Sequence, residues 1–353
     1  MRFWNLQFPC RRDWLNIDQI PHRHRQIGTL AGACLVLLGI ILHGIASGTI
    51  EFSLPQVARV LLGLPEERLA VQVIGNVRLP RVLTGMFVGM NLAVAGSLLQ
   101  GVLRNPMASP NIVGVNAGAG LAAVAMMVVA PALSVHIPLA AFLGAITAAF
   151  LIYLLSMSQP GPGSTIHLVL AGLAISSFFS ALTSGLMTLN ADELDVTYGW
   201  LLGSLSGRSW PYVHLLLPYS IVGLTLAFLI SPKANVFTLG DEIGTSVGVS
   251  IRWYRFLIIA IAAVLAGSAV SAAGTIGFVG LVAPHIARIL IGSDYRFQIP
   301  LSALLGGSLL IAADTFARTV FQPLELSVGV VTALIGAPFF LFLLYHRRTL
   351  GSR

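Results

Sequence analysis

Apolar and polar positions alternate in long blocks along this chain. Runs of about 20 mostly apolar residues, the length that crosses a bilayer as a helix, fall at 27–46, 82–103, 111–130, 138–157, 166–189, 211–231, 256–273, 276–291, 299–320 and 328–345. Short polar breaks separate them, so the pattern predicts an all-α polytopic membrane protein of ten transmembrane helices with no appended soluble domain. The expected organisation is a cytoplasmic tail at 1–26 and one membrane domain at 27–348. Runs seven and eight are divided only by small residues around Ala272-Ala273-Gly274, which predicts a tight hairpin.

Composition agrees with that reading. Of 353 residues, 56% are hydrophobic and only 9% charged, and mean hydropathy is +0.87. Soluble domains carry about 25% charged residues. The net charge of +7 does not gather into one patch, so it reports orientation and not nucleic-acid binding. With the amino terminus inside, only Arg59, Arg68, Arg78, Arg81, Arg208 and Arg318 fall outside, and the other Lys and Arg residues fall inside. Excess cytoplasmic basic charge is the usual rule, so both termini are expected in the cytoplasm. The first run has a basic flank but is long for a signal peptide, and it reads as a retained span. Residues 1–26 mix Trp4, Phe8 and Trp14 with arginines, which suits either an interfacial segment or an ordinary topogenic tail. Cys10 and Cys34 offer neither a disulfide framework nor metal-ligand spacing.

Within this apolar background a few segments are too irregular for lipid alone. Gly274-Thr-Ile-Gly-Phe-Val-Gly-Leu-Val-Ala-Pro-His-Ile-Ala-Arg288 crowds glycines, a proline, a histidine and an arginine into one span. Proline leaves an upstream carbonyl without its helical donor, and such irregularity survives in hydrocarbon only inside protein or along a cavity. The segment reads as part of a pathway or gate. Arg104-Asn-Pro-Met-Ala-Ser-Pro110 breaks the helix at the inner junction of runs two and three, either as the mouth of a pathway or as a plain turn. Pro160-Gly-Pro-Gly-Ser-Thr165 poses the same choice. Thr238-Leu-Gly-Asp-Glu-Ile-Gly-Thr-Ser-Val-Gly-Val249 predicts a short cytoplasmic helix with acidic residues in its first turn, where the dipole favours them, followed by a glycine stop. Such an exposed element is a docking surface for a soluble partner, or else a solvated turn.

Asp314 and His285 are ionisable groups in or near spans, where function is a standing hypothesis. Asp314 and Arg318 also stand four apart, so a local helical pair accounts for both, and His285 fits helix packing. Arg78-Leu-Pro-Arg81 before Ala93–Ser97, and Arg252-Trp-Tyr-Arg255 before Val264–Ser268, are short echoes of the kind inverted repeats leave. Lys233 is the single lysine and lies outside any Gly-x-x-x-x-Gly-Lys-[Ser/Thr] motif. An ATPase, if one is involved, is therefore another polypeptide.

Four blocks in order resemble one known family: Arg78–Arg81 with Gly101–Gly120, Leu239–Gly248, Gly274–Arg288, and Gly329-Val-Val-Thr-Ala-Leu-Ile-Gly-Ala-Pro338. The chain, from about residue 30 to 348, resembles the FecCD-type permease of binding-protein-dependent ABC importers for iron–siderophores, haem or cobalamin. The resemblance implies a BtuC-like type II ABC importer fold in the bacterial inner membrane. It also implies no cofactor and no catalysis by this subunit. The implied partners are a second permease copy or paralogue, two ATP-binding cassette subunits and a periplasmic or lipid-anchored binding protein.

The resemblance assigns Leu239, Gly240, Asp241, Glu242, Gly244 and Gly248, within about 236–252, to ATPase coupling. It assigns Asn105, Pro106, Met107, Ser164 and Thr165 to a cytoplasmic gate. Arg78, Arg81 and Arg318 match positions that meet acidic residues of the binding protein, although snorkelling to the interface would also explain outer arginines. The stretch Trp200–Trp210 resembles siderophore permeases more than the cobalamin branch, which makes a ferric siderophore the expected cargo. An ion-coupled carrier and an intramembrane enzyme are the rivals. The first needs intramembrane carboxylates, for which Asp314 is the one candidate, and the second needs His285 and Asp314 in one cavity.

Overall fold

The computed structural model describes residues 23–157, 164–190 and 194–351, and among them every regular element is helical. The apolar runs become α1 (Arg23–Ala46), α4 (Leu79–Val102), α5 (Val115–Val129), α6 (Ile137–Met157), α7 (Ser164–Leu189), α9 (Trp210–Leu239), α11 (Ile251–Ala273), α12 (Val279–Ile291), α13 (Tyr295–Thr319) and α14 (Val328–Gly351). Short helices α2 (Leu54–Leu61), α3 (Arg68–Gln72), α8 (Leu194–Leu201) and α10 (Asp241–Ser246) lie between them. Helices suit hydrocarbon because they satisfy their own backbone donors and acceptors. Seven of the expected spans fall on helices long and apolar enough to cross a membrane, while Val115–Val129, Val279–Ile291 and Val328–Leu343 are shorter apolar helices. The expected tail lies mostly outside the described residues, with α1 beginning at Arg23.

Two boundaries differ from the sequence pattern. The second span, expected at 82–103, begins at Arg68 and passes through a π-helical turn, Val73–Arg78, into α4. Arg78-Leu-Pro-Arg81 therefore sits inside a long helix and not ahead of it. Pro80 lies inside this continuous helix, where its missing N–H leaves an upstream carbonyl without a helical donor; the π-helical turn lies just before it, and there Trp210 Nε1 donates to the Gly75 carbonyl at 3.1 Å. The sixth span, expected to end near 231, runs on through Pro232 to Leu239. Leu239 thus closes α9, and the short helix of the coupling segment is α10 alone.

At 24 residues α4 is about 36 Å long, more than the roughly 30 Å of a hydrocarbon core. It is also the centre of the bundle, packed by α9, α11, α12 and α13. Close approach depends on glycine at the α4–α12 crossing, where a Cβ on Gly96 would stand 1.7 Å from the Gly280 carbonyl oxygen. A second device is polar. Buried Asn91 on α4 donates to Ser220 of α9 at 2.8 Å and to Ser268 of α11 at 3.2 Å, tying three helices at mid-depth. By contrast α1 and α7 expose most of their apolar surface.

Candidate functional site

The cytoplasmic end by the expected orientation is built around α10. Gly240, at φ +103°, turns the chain sharply out of α9, and the N–H of Gly244 returns to the Gly240 carbonyl at 3.0 Å. Asp241 and Glu242 occupy the first turn, as the sequence predicted. Gly244 is buried against Ile251, where a Cβ would stand 2.4 Å from that side chain. This seats α10 on the start of α11. Leu239 at the end of α9, and Ile243 and Val247 on and just past α10, are all exposed apolar side chains, with Glu242 exposed as well.

Asp241 links α10 to two other parts of the chain. Its Oδ2 accepts from Arg255 Nη2 of α11 at 2.7 Å, and its Oδ1 stands 3.6 Å from Arg104 Nη2. The second distance is too long for a hydrogen bond, so Arg104 is held by charge alone. Arg104 heads the loop at the end of α4 and takes a left-handed backbone, φ 47°, that a non-glycine residue rarely adopts. Asn105 follows. Its side-chain Oδ1 accepts the Met107 N–H at 3.0 Å, fixing the turn that carries Pro106 and Met107, all three half-buried. The loop expected as a gate and the element expected to couple thus meet at one carboxylate. Ser164 and Thr165 open α7, but their side chains and the rest of Pro160–Thr165 lie outside the described residues.

The irregular Gly274–Arg288 segment forms the turn into α12 and most of that helix. Pro284 removes the donor that would have met Gly280, as the sequence indicated, and Gln100 Nε2 of α4 approaches that carbonyl at 3.5 Å. Arg288 Nη2 donates to Gln100 Oε1 at 3.2 Å, so one glutamine joins the middle and the end of the segment to α4. His285 lies in mid-α12 with its ring edge-on to Phe339 at 6.0 Å.

At the opposite end the three arginines converge. Arg78 Nη1 donates to the carbonyls of Ile45 at 2.9 Å and Ala46 at 2.8 Å, while Arg318 Nη1 donates to that of Ser47 at 2.6 Å. Both also bond neighbouring carbonyls, Arg78 to Ile50 and Arg318 to Gly44. Together they cap the end of α1, where a helix favours positive charge. Arg81 holds Asp314 with two donors, Nη2 at 2.9 Å and Nε at 3.0 Å, and gives Nη1 to Glu325 at 3.0 Å. Asp314 also stands 3.7 Å from Arg318, so the local i,i+4 pair exists but is secondary to a partner on another helix. All three arginines are buried, yet with Glu325 they border a cleft of about 170 Å³. Partial burial pushes the Glu325 carboxyl up, but the Arg81 charge, the Ser206 hydroxyl and Arg318 outweigh it and hold the group below its ordinary value.

The sequence pattern singled out Arg81, Asp241 and Arg288 but gave no sign that Glu325, Arg255 and Gln100 are their respective partners. Glu325 lies 244 positions from Arg81, and no spacing rule spans that distance.

A model of the FecCD transport family matches residues 35–346 of this chain. The Fe(3+)-citrate import system permease protein YfmD of Bacillus subtilis is 44% identical over 278 residues, which is 79% of this chain and 83% of that one. The cobalamin import system permease protein BtuC of Halobacterium salinarum is 42% identical over 286 residues, 81% of this chain and 76% of that one. A solved structure of a metal-chelate type ABC transporter, in an inward-facing conformation, superposes with a TM-score of 0.82 at 29% identity. The match covers 91% of this chain and 99% of that one.

Proposed function

The chain belongs to the FecCD transport family, the permease subunits of ABC importers, which are not enzymes themselves; from that premise we propose that it carries a ferric siderophore inward across the bacterial cytoplasmic membrane. It works as a pair with a second copy or a paralogue, with a translocation path between them and both termini inside. Two ATP-binding cassette subunits seat on the exposed Leu239, Ile243 and Val247 side chains. A binding protein delivers the chelate at the opposite end. Ferric cargo is supported by the ferric-citrate relative and by the siderophore-like stretch Trp200–Trp210.

The observation that carries this reading is the shared carboxylate of Asp241. A force applied to α10 by a moving ATPase reaches Arg255 at the base of α11 and Arg104 at the head of the Asn105–Met107 loop. The exposed tether to Arg104 is worth only about 0–1 kcal/mol, so it can break and reform in each cycle without unfolding anything. Asn105, Pro106 and Met107, with Ser164 and Thr165, close the inner mouth in one state and part in the other. Gly240, Gly244 and Gly248 let α10 turn and seat closely. Because a ligand moves an equilibrium only through differential contacts, ATP acts here through whichever state presents α10 best.

At the outer end, Arg78, Arg81 and Arg318 receive acidic side chains of the binding protein. An incoming carboxylate takes the place of half-exposed Glu325 on Arg81, which gives register and encounter rate more than raw affinity.

The test is uptake into proteoliposomes holding the permease with its cognate ATPase, with binding protein loaded in turn with a radiolabelled ferric siderophore, haem or cobalamin. ATP-dependent uptake of the ferric siderophore alone is expected. Uptake of cobalamin or haem instead overturns the cargo, and ATP-independent flux overturns the mechanism.

A further inference from the structure

A groove of about 160 Å³ runs between α6 and α11, its mouth near the α10 end. Its walls are apolar almost throughout, from Ile146 and Val264 at the deep end to Tyr153 and Phe256 at the mouth, with Ala149 and Ala260 between. From Phe256 to Val264 the helix rises about 12 Å, close to the length of the straight upper part of an acyl chain. Among the described residues, no neighbouring helix or loop fills it. Inside a bilayer an open apolar groove of this size is occupied by something apolar, because empty space forfeits dispersion contacts on every wall.

The mouth says what the other end of the occupant is. Trp253, Phe256 and Tyr153 stand in a row, with ring centroids 5.8 and 5.2 Å apart. Trp253 is exposed. Amphipathic aromatics of this kind mark the level of the lipid headgroups. Arg252, exposed in the first turn of α11, and Arg255, one turn on, both lie within electrostatic reach of the Tyr153 hydroxyl. Arg255 is engaged with Asp241. Arg252 is an exposed cation one turn before Phe256 of the groove wall, and the Tyr153 phenolic hydroxyl can donate to a phosphate oxygen. Positive charge above and hydrocarbon below match one class of molecule.

We infer that the α6–α11 groove is a binding site for an anionic phospholipid of the leaflet bordering α10, one acyl chain lying along Ala260 and the phosphate meeting Arg252 and the Tyr153 hydroxyl. The proposed site needs neither a particular cargo nor a particular binding protein.

Native mass spectrometry of the permease–ATPase complex, delipidated and then titrated with phosphatidylglycerol or phosphatidylcholine, tests it directly. Wild type is expected to retain phosphatidylglycerol about fivefold better, the effect of one basic side chain near a headgroup. Arg252→Gln keeps the lipid and loses the preference. Ala260→Phe fills the groove and lowers retention of both lipids, and Val264→Phe, on another wall, does the same. Equal retention of the two lipids by wild type overturns the site, as does wild-type retention by both filling variants in an assembled complex. Failure of ferric uptake in the earlier assay leaves these outcomes untouched, so the two readings fail separately.

Discussion

The two ends of the bundle use the same chemistry, arginine against carboxylate, for opposite purposes. At the Arg81 end, outer in the proposed orientation, Arg81 and Asp314 have side chains only 10% and 4% exposed, and they are joined by two-donor contacts. At the inner end Arg104 and Asp241 are 45% and 37% exposed and stand 3.6 Å apart. Buried ion pairs are strongly destabilised when one partner is removed, because the other is left without compensation. Exposed pairs are close to neutral. The outer cluster therefore fixes α1, α4, α13 and the loop before α14 in one arrangement. The inner cluster holds its parts loosely, as the proposed docking of an ATPase there requires.

The sharpest way to break the comparison is to remove one charge from each end. Arg81→Ala should cost about 3–5 kcal/mol by leaving buried Asp314 only its longer 3.7 Å contact with Arg318, read as a large fall in melting temperature of the detergent-solubilised protein. The double replacement Arg81→Met with Asp314→Leu should recover most of that loss. If it does not, the outer cluster has a role beyond paired charge. Gly240→Ala is expected to cost about 1–3 kcal/mol, since φ +103° is strained for any side chain. Asp241→Asn should change stability by less than about 1 kcal/mol and yet uncouple ATP hydrolysis from uptake in proteoliposomes. Coupled transport at the wild-type ratio in Asp241→Asn would remove the shared-carboxylate mechanism.

The smallest effect is a pH dependence. Glu325 titrates below its ordinary value in the fold, so the folded state binds fewer protons there than the unfolded chain. Its stabilising contribution is full above the unfolded carboxyl value of about 4.3 and fades as pH falls through the depressed folded value. Melting curves of wild type and Glu325→Gln should differ modestly near neutrality and converge below about pH 4. A gap that widens in acid would mean that Glu325 is destabilised where it sits.

Much of this was legible in the chain. Block length and composition gave the all-helical membrane class, because hydrocarbon leaves a backbone few other choices. Pro284 marked a carbonyl without its helical donor, and the acidic first turn of α10 followed from the dipole rule. Reading ended where partners come from distant segments. Asp314 has a partner four residues away that any helix rule finds, but Arg81, 233 positions distant, holds it more closely. The start of the second span was also misplaced, because Arg78-Leu-Pro-Arg81 looks like a break and only the π-helical turn before it carries the helix through.

The sequence by itself therefore determined what each segment is: local hydrogen bonding, hydropathy and proline chemistry act over a few residues, and the order of residues contains them. Which segments meet was decided by tertiary structure alone. Gly96 against Gly280, Asn91 between Ser220 and Ser268, and Asp241 between Arg104 and Arg255 are settled by the packing of whole helices. That packing depends on shape and charge summed over many distant contacts, a quantity that no local stretch of the chain carries.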